Sequence, residues 1–222
     1  MADCSVTLPF ANRAEAGRLL GSRLQAEHLQ GPLVVVALPR GGVPVAAEVA
    51  RRLGAPLDLL IVRKIGAPWQ PELAVAAVVD GTPPAIVIDE DTSAATGADA
   101  AYIEREAAVE RREIERRREI YLHGRAPLAL SDTTVILVDD GIATGTTVRA
   151  ALKALGRRGA TKVLLAIPVA PPDTVLALRG SCDRIFCLAE PQPFGAVGAH
   201  YVDFHQVGDV EVMAAFGRGP RE

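Results

Sequence analysis

The chain has 222 residues, a formal net charge of -3 and a pI near 5.9. Its 49% hydrophobic and 23% charged content is that of an ordinary globular protein, with length for one large domain or a domain with a cap. A weakly acidic balance offers no field for a nucleic-acid backbone, and no apolar run nears the roughly 18 residues of a membrane helix, so neither partner is expected.

Residues 1–10 lack the basic segment and apolar core of a signal peptide. Cys4, Cys182 and Cys187 are odd in number and form no C-x-x-C pair, which reads as reduced thiols in a cytoplasmic protein. Residues 12–29 carry a helix start, with Asn12 as N-cap and Glu15 three positions on. Residues 33–38 are a continuous apolar run of strand length, the pattern of a strand buried on both faces. A helix is expected over 43–53, with Pro44 in its first turn and Gly54 closing it. Residues 57–62 read as a second buried strand, and 73–79 with 85–88 as a hairpin.

One long helix is expected over 97–123. Between Glu104 and Glu119 it holds six Glu and six Arg, so its charges cancel. Ile103, Ala107, Ile114 and Tyr121 recur at spacings of four and seven, a narrow stripe for packing, and a subunit contact is one use for such a helix. Strands follow at 134–138, 162–167 and 184–188, with helices at 148–155 and 172–178 between them. Apolar strands alternating with helices specify an α/β fold with a parallel five-stranded core sheet flanked by helices and right-handed crossovers. Ligands of such sheets bind at the strand C-terminal ends. Residues 1–222 read as a single domain, with a hairpin insertion and a C-terminal hood at 190–209.

The most informative stretch is Val138, Asp139, Asp140, Gly141, Ile142, Ala143, Thr144, Gly145, Thr146, Thr147. A strand reaches two adjacent carboxylates, then a loop of small and hydroxyl residues opens a helix. Unpaired amides and the positive end of a helix dipole suit a phosphate dianion. Gly145 permits close backbone approach, and the threonines add hydroxyl donors. The two carboxylates suit the vicinal hydroxyls of a ribose held by its 5-phosphate, or Mg²⁺. Neither a Walker lysine nor a GxGxxG fingerprint is present.

That stretch resembles the phosphoribosyl-pyrophosphate (PRPP) motif of type I phosphoribosyltransferases. The tail at 190–207 is similar to that of a bacterial group of such domains with unassigned substrates. The resemblance implies a Mg²⁺-dependent transfer of phosphoribosyl from PRPP to a nitrogenous acceptor, with release of diphosphate, by a cytoplasmic homo-oligomer such as a dimer. It also leaves open a PRPP-binding regulatory or sensor protein without turnover. Under it, Ala143, Thr144, Gly145, Thr146 and Thr147 hold the 5-phosphate and Asp139 and Asp140 fix the ribose.

Arg40, Gly41 and Gly42, at a strand-to-helix turn, resemble the family's diphosphate loop, in which the Pro39–Arg40 peptide is expected to be cis. Arg63 and Lys64 look like a segment of adenine phosphoribosyltransferases and add cations for diphosphate. Asp139, Asp140 and Arg40 are therefore the expected catalytic groups. One position departs from the pattern. Enzymes acting on 6-oxopurines carry a carboxylate where this chain has Ala143, so proton transfer to hypoxanthine or guanine is not expected there. Phe194 or Tyr201 in the hood could stack on a flat acceptor, and either could equally be part of the hood core. His200, Asp203 and His205 fall short of a metal set, because only the last two share a face in an extended segment.

Overall fold

A computed structural model describes residues 6–81 and 83–217; Cys4 and Thr82 lie outside them. α1 (Arg13–Ala26) begins where Asn12 accepts the amide of Glu15 at 2.9 Å, and ends three residues earlier than the sequence suggested. β1 (Leu33–Ala37) leads into α2 (Gly42–Leu53), which stops on Gly54 in the left-handed region at φ 63°. β2 is only Leu57–Leu59.

The expected strand over 57–62 is thus corrected. It runs out at Leu59, and a new strand, β3 (Val62–Ala67), starts in a different sheet. β3, β4 (Gln70–Val79) and β5 (Ala85–Ile88) form a three-stranded antiparallel sheet. The expected β4–β5 hairpin is therefore present, with β3 added to it.

The expected long helix over 97–123 is present over 100–122, and a short helix that the sequence did not announce precedes it. α3 (Glu90–Thr96) ends on Gly97 at φ 70°, and α4 (Ala100–Leu122) restarts with Asp99 accepting the amide of Tyr102 at 2.7 Å. The two are separate because Gly97 adopts a left-handed conformation that stops one helix while Asp99 caps the next. The apolar stripe holds, since Ile103, Ala107, Ile114 and Tyr121 are all buried.

Then come β6 (Thr134–Val138), α5 (Thr146–Gly156), β7 (Lys162–Val169), α6 (Pro172–Leu178) and β8 (Arg184–Ala189). A short 3₁₀ turn (Val197–His200) and α7 (Asp209–Ala215) finish the described chain. The core sheet has the order β2-β1-β6-β7-β8, and every pair is parallel.

Alternation along the strands makes two cores. Val35, Ala37, Ile136 and Val138 face one layer with α1 and α2, while Val34, Val36, Val135 and Leu137 face the other with α5. A fully buried side chain of this size contributes roughly 1.5–3 kcal/mol. β1 turns outward to β2, and the chain reaches β6 on its other side. The sheet therefore switches direction between β1 and β6, the place where a crevice opens at the strand ends. No helix among the described residues is long and apolar enough to cross a membrane.

Candidate active site

The turns after β1 and β6 meet at that switch point. β1 and β6 pair in register from Leu33 with Thr134 to Ala37 with Val138, so Arg40, Gly41 and Gly42 leave the sheet beside Asp139 and Asp140. The approach is closer than any side chain permits. A Cβ on Gly41 would overlap Oδ2 of Asp140, and one on Gly42 would lie 2.9 Å from the Asp139 backbone. These two glycines are needed so that α2 can start against the acidic pair. The Pro39–Arg40 peptide is cis.

Beyond Asp140, Gly141 takes φ 155° where a Cβ would strike Val197 and Val169, and Gly145 takes φ 76° as α5 begins. The loop is tethered by the Thr174 hydroxyl, which donates to the Ala143 carbonyl at 2.7 Å, and by the Ile142 amide donating to Val169 at 3.0 Å. The amides of Ala143, Thr144, Gly145, Thr146 and Thr147 donate to no group among the described residues. They line a hollow of about 130 Å³ that also touches Asp139. Free amides at a helix N-terminus are an anion site.

On the other side of the pair lies a second cavity of about 390 Å³, formed by Arg13, Arg40, Gly41, Asp140 and the hood residues Phe204, His205, Gln206 and Val207. Asp139 and Asp140 therefore stand between a phosphate-sized hollow and a larger, cationic one.

The two carboxylates have unequal surroundings. Asp140 is bonded by Nε of Arg13 at 2.7 Å. Among the described residues Asp139 accepts only the Asp140 amide, at 2.9 Å, and burial beside the Asp140 charge holds its carboxyl well above the usual carboxylate range. A carboxylate in that state gains from any cation or hydroxyl donor brought to it.

The other expected residues fare differently. Arg40 lies on the larger cavity, 3.6 Å from Asp209 of α7. Arg63 and Lys64 do not end a core strand but sit inside β3, where Arg63 is bonded to Glu110 at 2.6 Å; neither lines the two cavities. Tyr201 is corrected as an acceptor platform. It is buried between Phe10 and Phe204, and its hydroxyl donates to the Asp140 carbonyl at 2.5 Å. Phe194 packs against His200, 4.9 Å between rings, and does not line the larger cavity.

Three contributors were not legible in the sequence. Arg13 is buried, with its guanidinium 3.8 Å from the Phe204 ring centre and Nη1 donating to the His205 carbonyl at 2.9 Å. An arginine after a helix N-cap reads as a surface residue, and no spacing ties it to position 140. Phe204 and Asp209 lie in a stretch without periodicity. The hood is also stitched to residues 10 and 11, with the Val202 amide donating to Phe10 and the Asp203 amide to Ala11.

Residues 12–203 match the family model described as the phosphoribosyl transferase domain. Two Mycobacterium tuberculosis proteins, MT0597 of strain CDC 1551 / Oshkosh and Rv0571c of strain ATCC 25618 / H37Rv, are named as proposed phosphoribosyl transferases. Each is 46% identical over 217 residues, covering 96% of this chain and 47% of the relative. The chain thus spans about half the length of these curated relatives. The crystal structure of TT1426 from Thermus thermophilus superposes with a TM-score of 0.82 at 44% identity, covering 94% of this chain and 97% of that one.

Proposed function

The chain belongs to the phosphoribosyl transferase domain family, and from that premise we propose that it transfers 5-phosphoribosyl from PRPP to a nitrogenous acceptor, releasing diphosphate. The observation that carries this reading is the acidic pair standing between free amides and a cationic cavity. The 5-phosphate takes the amides of residues 143–147, the ribose hydroxyls take Asp139 and Asp140, and the diphosphate takes the Arg40 side.

Breaking the anomeric C–O bond builds negative charge on diphosphate and positive charge on the ribose ring. Arg40 stabilises the first as a bidentate donor. The acidic pair supplies negative potential for the second. Mg²⁺ fits this site, because Asp139 is the member of the acidic pair without an ion-pair partner among the described residues, and magnesium binds through one or two carboxylates plus substrate phosphates. Its chemistry there is neutralisation of the departing diphosphate.

Phe204, His205, Gln206 and Val207 are the hood residues on the larger cavity, so the acceptor is read by these rather than by Phe194. The reading extends to a cytoplasmic protein, acting as a dimer or other homo-oligomer.

The test is Mg²⁺-dependent diphosphate release from PRPP with a panel of nitrogenous bases. Because Ala143 carries no proton-transfer group, hypoxanthine and guanine are expected to give no significant turnover while another base does. Gln206→Ala is expected to raise the acceptor KM and leave PRPP binding unchanged. Tight PRPP binding without diphosphate release for any acceptor would refute transfer and leave a PRPP sensor.

A further inference from the structure

A third cavity lies at the other end of α5, away from the phosphate hollow. Its volume is about 440 Å³, within the range of sites that enclose small molecules. Pro83, Pro127, Leu128 and Leu130 form an apolar wall, and Arg157 and Arg158, just past the end of α5, form a basic one. The eleven residues of α5 separate this cavity from the Thr146 end by roughly 16 Å of helix rise. It shares no lining residue with either cavity of the candidate active site.

Arg158 gives the cavity its chemistry. Its Nη2 is buried with no hydrogen-bond partner, the only such side-chain atom among the described residues. Buried donors are almost always paired, and a guanidinium can only donate, so what is missing is an acceptor. The neighbouring acids do not supply it. Asp80 is engaged by Arg118. Asp58 accepts the amides of Leu59 and Leu128 and faces Arg125 at 3.8 Å. With each acid matched by its own arginine, Arg157 and Arg158 remain as net positive charge. The guanidinium also packs on bare backbone, since a Cβ on Gly81 would overlap Nη2.

We propose that this cavity binds a small phosphorylated molecule with an apolar or aromatic body, of nucleoside monophosphate size. The phosphate takes the Arg157 and Arg158 donors, whose fork geometry suits phosphate oxygens, and the body lies on the proline and leucine wall. This site does not depend on the phosphoribosyl reading, because its residues take no part in that chemistry.

The test is titration of the whole chain with AMP and, separately, with inorganic phosphate, followed by calorimetry. Both are run in a Thr146→Glu background, where a carboxylate in the active-site hollow repels phosphate there. AMP is expected to bind with Kd of about 1 mM or tighter, and inorganic phosphate about tenfold more weakly. Arg158→Gln should weaken AMP about tenfold. Arg157→Ala, at an exposed helix end, should do so in a chain whose circular dichroism is unchanged. AMP binding that disappears in Thr146→Glu alone would assign it to the active site and overturn the proposal. So would AMP affinity unchanged in both arginine variants, or no binding of either probe. Phosphate binding as tightly as AMP would overturn the role of the apolar wall.

Discussion

Asn at both positions 139 and 140 is expected to weaken Mg²⁺·PRPP binding by about a hundredfold, read by titration calorimetry. A hydrogen bond to a charged group contributes roughly 1.5–3 kcal/mol, and the pair offers ribose hydroxyls and magnesium two such acceptors. Asp139→Asn alone is the cleaner variant, because Asp140 also holds Arg13. The pH dependence has a definite sign. Burial and the Asp140 charge raise the Asp139 carboxyl above its ordinary range, so free protein keeps a proton there at pH values where an exposed aspartate has lost it. Binding that uses the ionised form must release that proton. Affinity should therefore rise with pH through the raised pKa and level off above it. Calorimetry in two buffers of different ionisation enthalpy measures the release directly, and no proton release at any pH would contradict the coupling.

Arg13→Ala should cost about 3–5 kcal/mol of folding stability, the usual consequence of removing one partner from a buried ion pair. The side chains of Arg13 and Asp140 are 9% and 13% exposed, so the loss is not screened as it is at a surface. In a domain of this size that is a fall on the order of 10 °C in Tm. The same substitution strips the Phe204 ring of its cation and the His205 carbonyl of its donor, loosening the hood where it meets the acidic pair. Arg13→Ala combined with Asp140→Asn should recover part of the loss, since no uncompensated charge remains. A single-mutant cost below about 1 kcal/mol, typical of exposed pairs, would show that the pair is not structurally important.

The sequence made some elements plain and others opaque for physical reasons. β6 is legible to the residue because five β-prone residues, a threonine and four apolar ones, all buried, end abruptly at two carboxylates. α6 is bounded by Pro171 and Pro172 at its start. Residues 57–62 misled because apolar residues entering the core sheet and those opening the antiparallel sheet look alike. Nothing local says which sheet a strand will join. α3 went unread because its seven residues form a short helix without a repeating apolar stripe, closed by Gly97 just before Asp99 caps α4. For the site, the hollow at 139–147 was readable because its chemistry is contiguous. Arg13, Phe204 and Asp209 were not, since they reach the acidic pair or Arg40 only through tertiary packing. The choice between acceptor platform and hood core at Tyr201 stayed open for the same reason. An aromatic in a polar tail looks available, and only the fold shows it closed between Phe10 and Phe204.

The most direct measurement of the central claim is a crystal structure of the chain with Mg²⁺ and PRPP. The expected result is the 5-phosphate on the amides of residues 143–147, the ribose hydroxyls on Asp139 and Asp140, and the diphosphate facing Arg40. A 5-phosphate bound elsewhere, or an empty 143–147 hollow at saturating PRPP, would contradict it.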